Sequence, residues 1–365
     1  MRAFVPLWHL PEGGFAGGLI RAKYILEGQN EFDLAIVDTD TTYIDPRKIR
    51  GKVTRIKLAW AYAPRGLTYK LMRAFNWVAH CIAMTWCGIT DRERIDFVYA
   101  PYGEIISVAL AAFLVSRFRR VPMIFCNLNV RGVPLWTFNR FLHKRADLII
   151  TLSDALMTEL RDAGITAPVK IGLVGVEDES IPRQAPLYDA LYVGRHTPAK
   201  GIFDIVRVWA RCVASQPTLQ LALAGHCAED VRNALTRMLN QLGIQDNVTL
   251  LGPVTEEQKW ALYARSRVCV FPSHVEGWGI VPIEAHLAGI PVVAYDLDAY
   301  AATIRHSPSA RLVPDGDVDA FALAVADVLG RPYDPEPSRI WAQQFTWAQA
   351  VAREVELLRG FLAGD

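Results

Sequence analysis

The chain alternates short apolar runs with longer stretches in which apolar residues return every three or four positions. Runs rich in Val, Ile and Leu fall at 3–8, 34–38, 97–100, 123–127, 148–152 and 170–174. A second series falls at 190–194, 219–224, 248–251, 268–271, 292–295 and 311–313. Continuous apolar strands with helices between them predict parallel sheets covered on both faces. The segment 177–186 is acidic and holds two prolines, which marks it as the linker between the series. The predicted domains are 1–180 and 181–337, with a C-terminal helix over 338–365 packing back on the first. The expected class is α/β, with two Rossmann-like doubly wound domains facing a central cleft. In such sheets ligands bind beyond the carboxyl ends of the strands, so the loops there are where chemistry is expected.

A length of 365 residues suits two domains, and 52% hydrophobic residues suffice for two cores. The net charge of +1 hides an asymmetry. Residues 1–185 carry 24 Lys and Arg against 18 Asp and Glu, whereas the remainder carries 15 against 20. A basic half and an acidic half on one chain point to an anionic partner for the basic one. The six cysteines form no Cys-x-x-Cys pair, so neither a zinc site nor a redox motif is indicated, and a reducing compartment is expected. The N-terminus reads as a strand rather than a signal peptide, and the apolar run 105–115 is far shorter than the ~20 residues of a membrane span. A cytoplasmic location is expected, peripheral on the inner membrane face.

Three loops carry unusual residues. In 193–201, Arg195 and Lys200 bracket a short loop between a strand and a helix. A guanidinium fork, an ammonium and a helix N-terminus together suit a diphosphate, although two cations on a solvated loop would look the same. In 271–285, Gly277 and Gly279 allow close backbone approach, and Pro282 suits the first position of a helix. Glu276 then lies in the loop and Glu284 in the first turn, so both carboxylates can face one pocket and accept hydrogen bonds from sugar hydroxyls. The plain alternatives are a polar loop residue and a carboxylate favoured by the helix dipole. In 11–18, the glycines around Gly13 and Gly14 open the first helix and can present N–H groups to an anion, but no dinucleotide-binding register fits.

These elements resemble the GT-B glycosyltransferases of family 4, the retaining group 1 transferases. Glu276 and Glu284 have the family's Glu-x7-Glu spacing within a Pro272-Ser273 to Gly279 stretch, and Gly194, Arg195, Lys200 and Gly201 match its Gly-Arg-x4-Lys-Gly element. The resemblance implies that Arg195 and Lys200 hold the diphosphate of a nucleotide-sugar donor. It implies that Glu284 binds ribose hydroxyls and that Glu276 binds the donor sugar beside the reacting centre. Gly277, Gly279, Ile280 and Val281 would complete the pocket, with Gly13 and Gly14 on phosphate. Members often carry a His after the strand at 123–127. Here Asn127 and Asn129 stand there, and either can contact the sugar by hydrogen bonding but not as a charge.

The implied reaction is transfer of a sugar to a carbohydrate or lipid-linked acceptor in glycan, polysaccharide or glycolipid synthesis, with no metal or other cofactor. Asp38-Thr39-Asp40 has the form of a metal motif but closes a strand, so no metal role is assigned to it. The histidines show no ligand spacing, and His274 and His286 are expected to pack or face solvent. Two other readings of the same scaffold are a nucleotide-sugar epimerase and a non-catalytic nucleotide-sugar-binding subunit. Finally, residues 46–90 hold no Asp or Glu, while nine Lys and Arg lie between Arg47 and Arg73 with aromatics interleaved. An anionic membrane surface or an anionic acceptor fits this segment, as does a solvated face. Nucleic acid is not expected, since no binding module is visible.

Overall fold

The computed structural model describes the backbone of residues 1–8, 16–39, 44–56, 67–128, 136–177, 179 and 181–364, and their side chains except those of 16–19, 39, 67–74 and 136. The strands are β1 (Arg2–Trp8), β2 (Asp33–Thr39), β3 (Gly51–Ile56), β4 (Phe97–Ala100), β5 (Met123–Cys126), β6 (Leu148–Thr151), β7 (Val169–Ile171), β8 (Tyr188–Val193), β9 (Leu221–Ala224), β10 (Val248–Gly252), β11 (Ser266–Phe271), β12 (Val292–Tyr295) and β13 (Ala310–Val313). The helices are α1 (Ala16–Gly28), α2 (Leu67–Thr90), α3 (Ile106–Arg119), α4 (Trp136–His143), α5 (Asp154–Asp162), α6 (Ile202–Ser215), α7 (Glu229–Leu242), α8 (Glu256–Ala264), α9 (Ile280–Leu287), α10 (Val318–Leu329), α11 (Glu336–Gln343) and α12 (Trp347–Ala363).

Two all-parallel sheets result. The first has seven strands in the order β3-β2-β1-β4-β5-β6-β7, and the second six in the order β10-β9-β8-β11-β12-β13. Each order reverses beside the first strand of its sheet, the doubly wound arrangement of a Rossmann-like domain. All twelve strands expected from the apolar runs are present. The thirteenth, β3, reads Gly-Lys-Val-Thr-Arg-Ile and is half exposed at a sheet edge, where basic side chains are tolerated and blunt the apolar signal.

The chain divides into two compact units, Met1–Gly175 with Trp347–Asp365, and Val176–Thr346. The single helix expected over 338–365 is in fact two. Phe345 and Thr346 break it, and α11 belongs to the second unit while α12 belongs to the first. The crossing is tight. Val176 pairs with Thr346 as a lone bridge, and a Cβ on Gly175 would lie 2.5 Å from Trp347 Cα, so only glycine fits there.

In the first unit, side chains of β1 alternate between two apolar layers. Phe4 faces Val108, Val115 and Phe125, while Val5 and Leu7 face Ile36, Ile150 and α12. One charged group is sealed into this unit. Arg21 of α1 donates to Glu354 of α12 at 2.6 Å, and both side chains are at most 1% exposed. Tyr99 of β4 donates to the other Glu354 oxygen at 2.6 Å, and Arg21 Nε reaches the Leu173 carbonyl at 3.0 Å. A buried ion pair holds only when its remaining hydrogen-bonding sites are met in this way. Tyr24 stacks on Trp347 with ring centres 4.3 Å apart, which anchors the start of α12.

The second unit has one main core, built on Trp209, Ile205 and Val206 of α6, the strands β8, β9 and β11, and Phe321 and Val325 of α10. A capping box at Thr255 and Gln258 starts α8 and sets the direction of its inward face, Trp260 and Tyr263.

Candidate active site

Two loops of the second unit, after β8 and after β11, are stitched together at the carboxyl ends of adjacent strands. His274 donates its backbone N–H to the Ala199 carbonyl at 3.0 Å, and Ser273 Oγ, fully buried, donates to Val275 O at 3.0 Å. Gly201 is left-handed (φ +67°), and a Cβ there would stand 1.7 Å from the Pro272 carbonyl oxygen. Any larger residue would drive the loops apart. From below, Tyr192 donates to the carbonyls of Arg195 (3.0 Å) and Lys200 (3.3 Å), fixing the loop that holds both cations.

The stitching brings Lys200 to Glu276. Lys200 Nζ lies 2.5 Å from Glu276 Oε1 and 2.9 Å from the Val275 carbonyl. Arg195 is exposed on the same loop as Lys200. Gly279, at φ +89°, caps α9 without a side-chain partner, and a Cβ there would meet the Tyr300 ring at 2.7 Å. The first N–H groups of α9, those of Ile280 and Val281, therefore lack a capping side chain and are available to an anion. Gly277 is different. Its added Cβ would meet nothing within 4 Å, so the space beside it is open.

Glu284 is the fifth residue of α9, past the first turn in which it was expected, and Pro282 is the third rather than the first. The carboxylate is buried. It accepts from Lys259 Nζ at 2.8 Å on one oxygen and from Tyr263 Oη at 3.1 Å on the other. Burial raises its pKa, opposed chiefly by Lys259. Glu276 and Glu284 thus have separate partners among the described residues, and each Glu284 oxygen keeps a lone pair for a further donor. Neither Lys259 nor Tyr263 was singled out from the sequence. Lys259 follows Glu256, with which it also pairs at 2.6 Å, and reads there as an ordinary surface pair.

His274 is about a third exposed and held between two carboxylates. Its Nδ1 is 2.5 Å from Asp315 and its Nε2 is 3.2 Å from Asp204, which also accepts from Tyr295 Oη at 2.9 Å. His286 is buried, bonded to Ser307 Oγ at 2.8 Å, and held neutral by burial with its pKa lowered to about 4. Among the described residues no three His, Cys, Asp or Glu side chains converge as metal ligands. Asp38 is buried at the end of β2, and Asp40 lies outside the described residues.

In the first unit, Asn127 is fully buried after β5, with Oδ1 3.3 Å from His143 Nε2 of α4. His143 is itself neutral, lowered to about 4 by burial. Nearby, Asn139 of α4 donates to the carbonyls of Gly103 and Glu104. Glu104, buried just before α3, is pushed up to about 7 by desolvation, against the pull of backbone N–H groups at Glu104 and Leu128 and of Arg21. Glu104 carries no sequence signal, since it sits in a turn with no motif around it. Gly13, Gly14 and Asn129 lie outside the described residues.

Residues 177–344 match the family model described as glycosyl transferases group 1. That match covers nearly all of the second unit, Val176–Thr346. A relative, the D-inositol 3-phosphate glycosyltransferase of Mycolicibacterium smegmatis, is 31% identical over 169 residues, which is 44% of this chain and 37% of that protein. The chain thus aligns with well under half the length of that curated relative. Among solved GT-B glycosyltransferase structures, Anabaena HepE in complex with UDP aligns with a TM-score of 0.74 at 17% identity, over 98% of this chain and 99% of that one. Sucrose-phosphate synthase from Thermosynechococcus elongatus aligns at 0.71 and 18% identity, over 100% and 99%. These structures establish the GT-B fold for the whole chain, including the first unit that the group 1 match does not reach.

Proposed function

We propose that the chain is a retaining glycosyltransferase that moves a sugar from a nucleoside diphosphate sugar to an acceptor hydroxyl. The observation that carries this reading is the Lys200–Glu276 pair at 2.5 Å, which ties the loop holding Arg195 to the loop that leads into the uncapped start of α9. Cations and backbone N–H groups gathered on one edge suit a diphosphate, while a carboxylate in the same cluster suits sugar hydroxyls. Relatives support it by name: the mycobacterial protein is a glycosyltransferase, and HepE was solved with UDP and glucose.

In the proposed reaction the bond between the anomeric carbon and the diphosphate oxygen breaks, and a bond from that carbon to the acceptor oxygen forms on the same face. The acceptor proton passes to the departing phosphate oxygen, so no separate protein base is required. Negative charge grows on the diphosphate as the sugar becomes cation-like, and Lys200, Arg195 and the α9 N–H groups stabilise it without metal. Glu276 orients the sugar, and Glu284, fixed by Lys259 and Tyr263, receives the ribose hydroxyls. This division of labour differs from that of a glycosidase, whose carboxylates do acid, base or nucleophile work.

The acceptor is proposed to be a carbohydrate, free or lipid-linked, reached from an anionic membrane surface. The support is α2, on which Phe75, Val78, Ile82 and Trp86 are each 55–67% exposed. At 100° per residue these four fall within one narrow stripe, opposite the buried Met84. Lys52 and Arg55 of β3 lie in the same acid-free segment. No described helix is long and apolar enough to cross a membrane, so the contact proposed is with the surface.

A thermal-shift screen with UDP, GDP, ADP, CDP and dTDP and their sugar conjugates tests the donor reading. One base should raise the melting temperature, and Arg195→Ala and Glu284→Ala should abolish the shift. Unchanged melting with all five would count against a nucleotide-sugar donor.

A further inference from the structure

The opposite end of the second sheet carries a separate basic cavity. Its volume is about 250 Å3, and its walls include Arg183, Arg267, Arg331, Tyr333 and Pro335. Arg183 precedes β8, Arg267 is the second residue of β11, and Pro291, also on the wall, precedes β12. The cavity therefore opens at the amino edge of the strands, whereas Arg195, Lys200 and Glu276 sit at the carboxyl edge. A strand of six residues separates the two edges by roughly 20 Å.

The arginines there are only half compensated. Arg267 pairs with Asp189 at 2.8 Å and donates to the Leu329 carbonyl at 2.6 Å, which also occupies the negative end of α10. Arg331 pairs with Asp327 at 2.5 Å on the rim. Arg183 spends one guanidinium nitrogen on the carbonyls of Tyr263 (2.9 Å) and Ser266 (2.7 Å), and among the described residues no carboxylate pairs with it. Arg339 of α11 is close enough to Arg183 to lower its pKa further after burial has done so. The Arg339 Nε is buried and without a hydrogen-bond partner. It reaches its position because residue 289 is glycine, where a Cβ would lie 2.8 Å from that nitrogen. The remaining acid nearby, Asp334, is taken up in capping α11 through the Glu336 N–H.

Arg183, with no carboxylate partner among the described residues, faces this hollow together with Arg267 and Arg331, and Arg339 lies behind its Gly289 wall. We infer that this cavity is a binding site for a small phosphate-bearing anion, separate from the donor site. Guanidinium forks match phosphate oxygens in pairs, and an anion here would offset the charge that Arg183, lacking a carboxylate partner, shares with nearby Arg339. The volume lies below the ~300–1,000 Å3 of sites that enclose drug-sized ligands, which favours inorganic phosphate or a sugar phosphate over a nucleotide.

Isothermal titration of the full chain with inorganic phosphate and with a hexose 6-phosphate, at constant ionic strength set with chloride, tests this. One site should be seen in the native protein and in Arg195→Ala. Arg183→Gln and Arg267→Gln should each weaken it at least tenfold, and the exposed-rim variant Arg331→Ala several-fold with no change in melting temperature. Tighter binding of the hexose phosphate would identify a phosphorylated sugar as the ligand, and equal binding would identify the phosphate alone; both support the site. No heat with either anion overturns it. So does binding that Arg195→Ala abolishes while all three pocket variants retain it.

Discussion

Lys200 and Glu276, 76 residues apart, form a charge pair at 2.5 Å that ties the loop after β8 to the loop after β11. Each group is under a quarter exposed, and each is proposed to act on a different part of the donor. An incoming diphosphate would compete with Glu276 for the ammonium, and release of the carboxylate would free it to accept from the sugar.

Separate loss of either partner should therefore damage turnover. Lys200→Ala and Glu276→Gln are each expected to lower kcat by about 10²–10³, the scale of losing one transition-state donor. The double variant should be less than the product of the two, since the groups act together. Steady-state rates with the donor found by thermal shift check this, and a loss below tenfold in both single variants would remove the pair from the chemistry.

Lys259→Met should be costly for a different reason. It leaves the Glu284 carboxylate buried with only the Tyr263 hydroxyl, a change expected to cost about 3 kcal/mol. Burial already holds the Glu284 pKa above its ordinary 4.5, so the folded state keeps this proton longer than the unfolded one. Stability from this group is full below pH 4.5 and falls as pH rises toward the folded pKa. Losing the cation should widen that fall. Urea midpoints at pH 5 and pH 8 should separate more in the variant than in the native protein, and equal separations would contradict the assignment.

Glu104 makes a similar prediction with a defined window. With its pKa at about 7 against 4.5 in the unfolded chain, it withdraws roughly 3 kcal/mol of stability between pH 4.5 and 7. Glu104→Gln, neutral throughout, should flatten the stability profile over that range and raise the urea midpoint at pH 8. A variant less stable at pH 8 than the native protein would show that the carboxylate is needed in its charged form.

Ile82→Ser and Trp86→Ser test the membrane proposal. Both positions are largely exposed, so thermal stability should hold within about 0.5 kcal/mol. Co-sedimentation with vesicles rich in anionic lipid should drop several-fold, and native binding should weaken at 0.5 M salt as screening grows. Equal sedimentation of native and variant protein would detach α2 from any lipid contact.

Much of the fold could be read before any coordinates, because buried parallel strands advertise themselves. In β11 and β12, runs such as Val-Cys-Val-Phe and Val-Val-Ala-Tyr have no other use. The edge strand β3 was not legible, since exposure on one side let Lys52 and Arg55 interrupt its pattern. The glycine and acid spacing around Glu276 and Glu284 survived because local backbone demands fix it, as the left-handed Gly279 illustrates. What spacing could not report was partnership across the fold. Lys259 looked like half of a surface pair with Glu256, Glu104 like a turn residue, and Glu354 like any carboxylate on an amphipathic helix. Each acquires its role from elements distant in sequence.

Glu354 and Arg21 are separated by 333 positions, yet each is sealed against the other. As the chain leaves the ribosome, the first unit waits with the Arg21 guanidinium, near the carboxyl ends of β5 and β7, lacking its carboxylate until α12 is made. The second unit, continuous from Val176 to Thr346, meets no such delay. The order of synthesis is thus the reverse of the order of completion: the later-encoded unit can close first, and the earlier one is finished only when α12 is made.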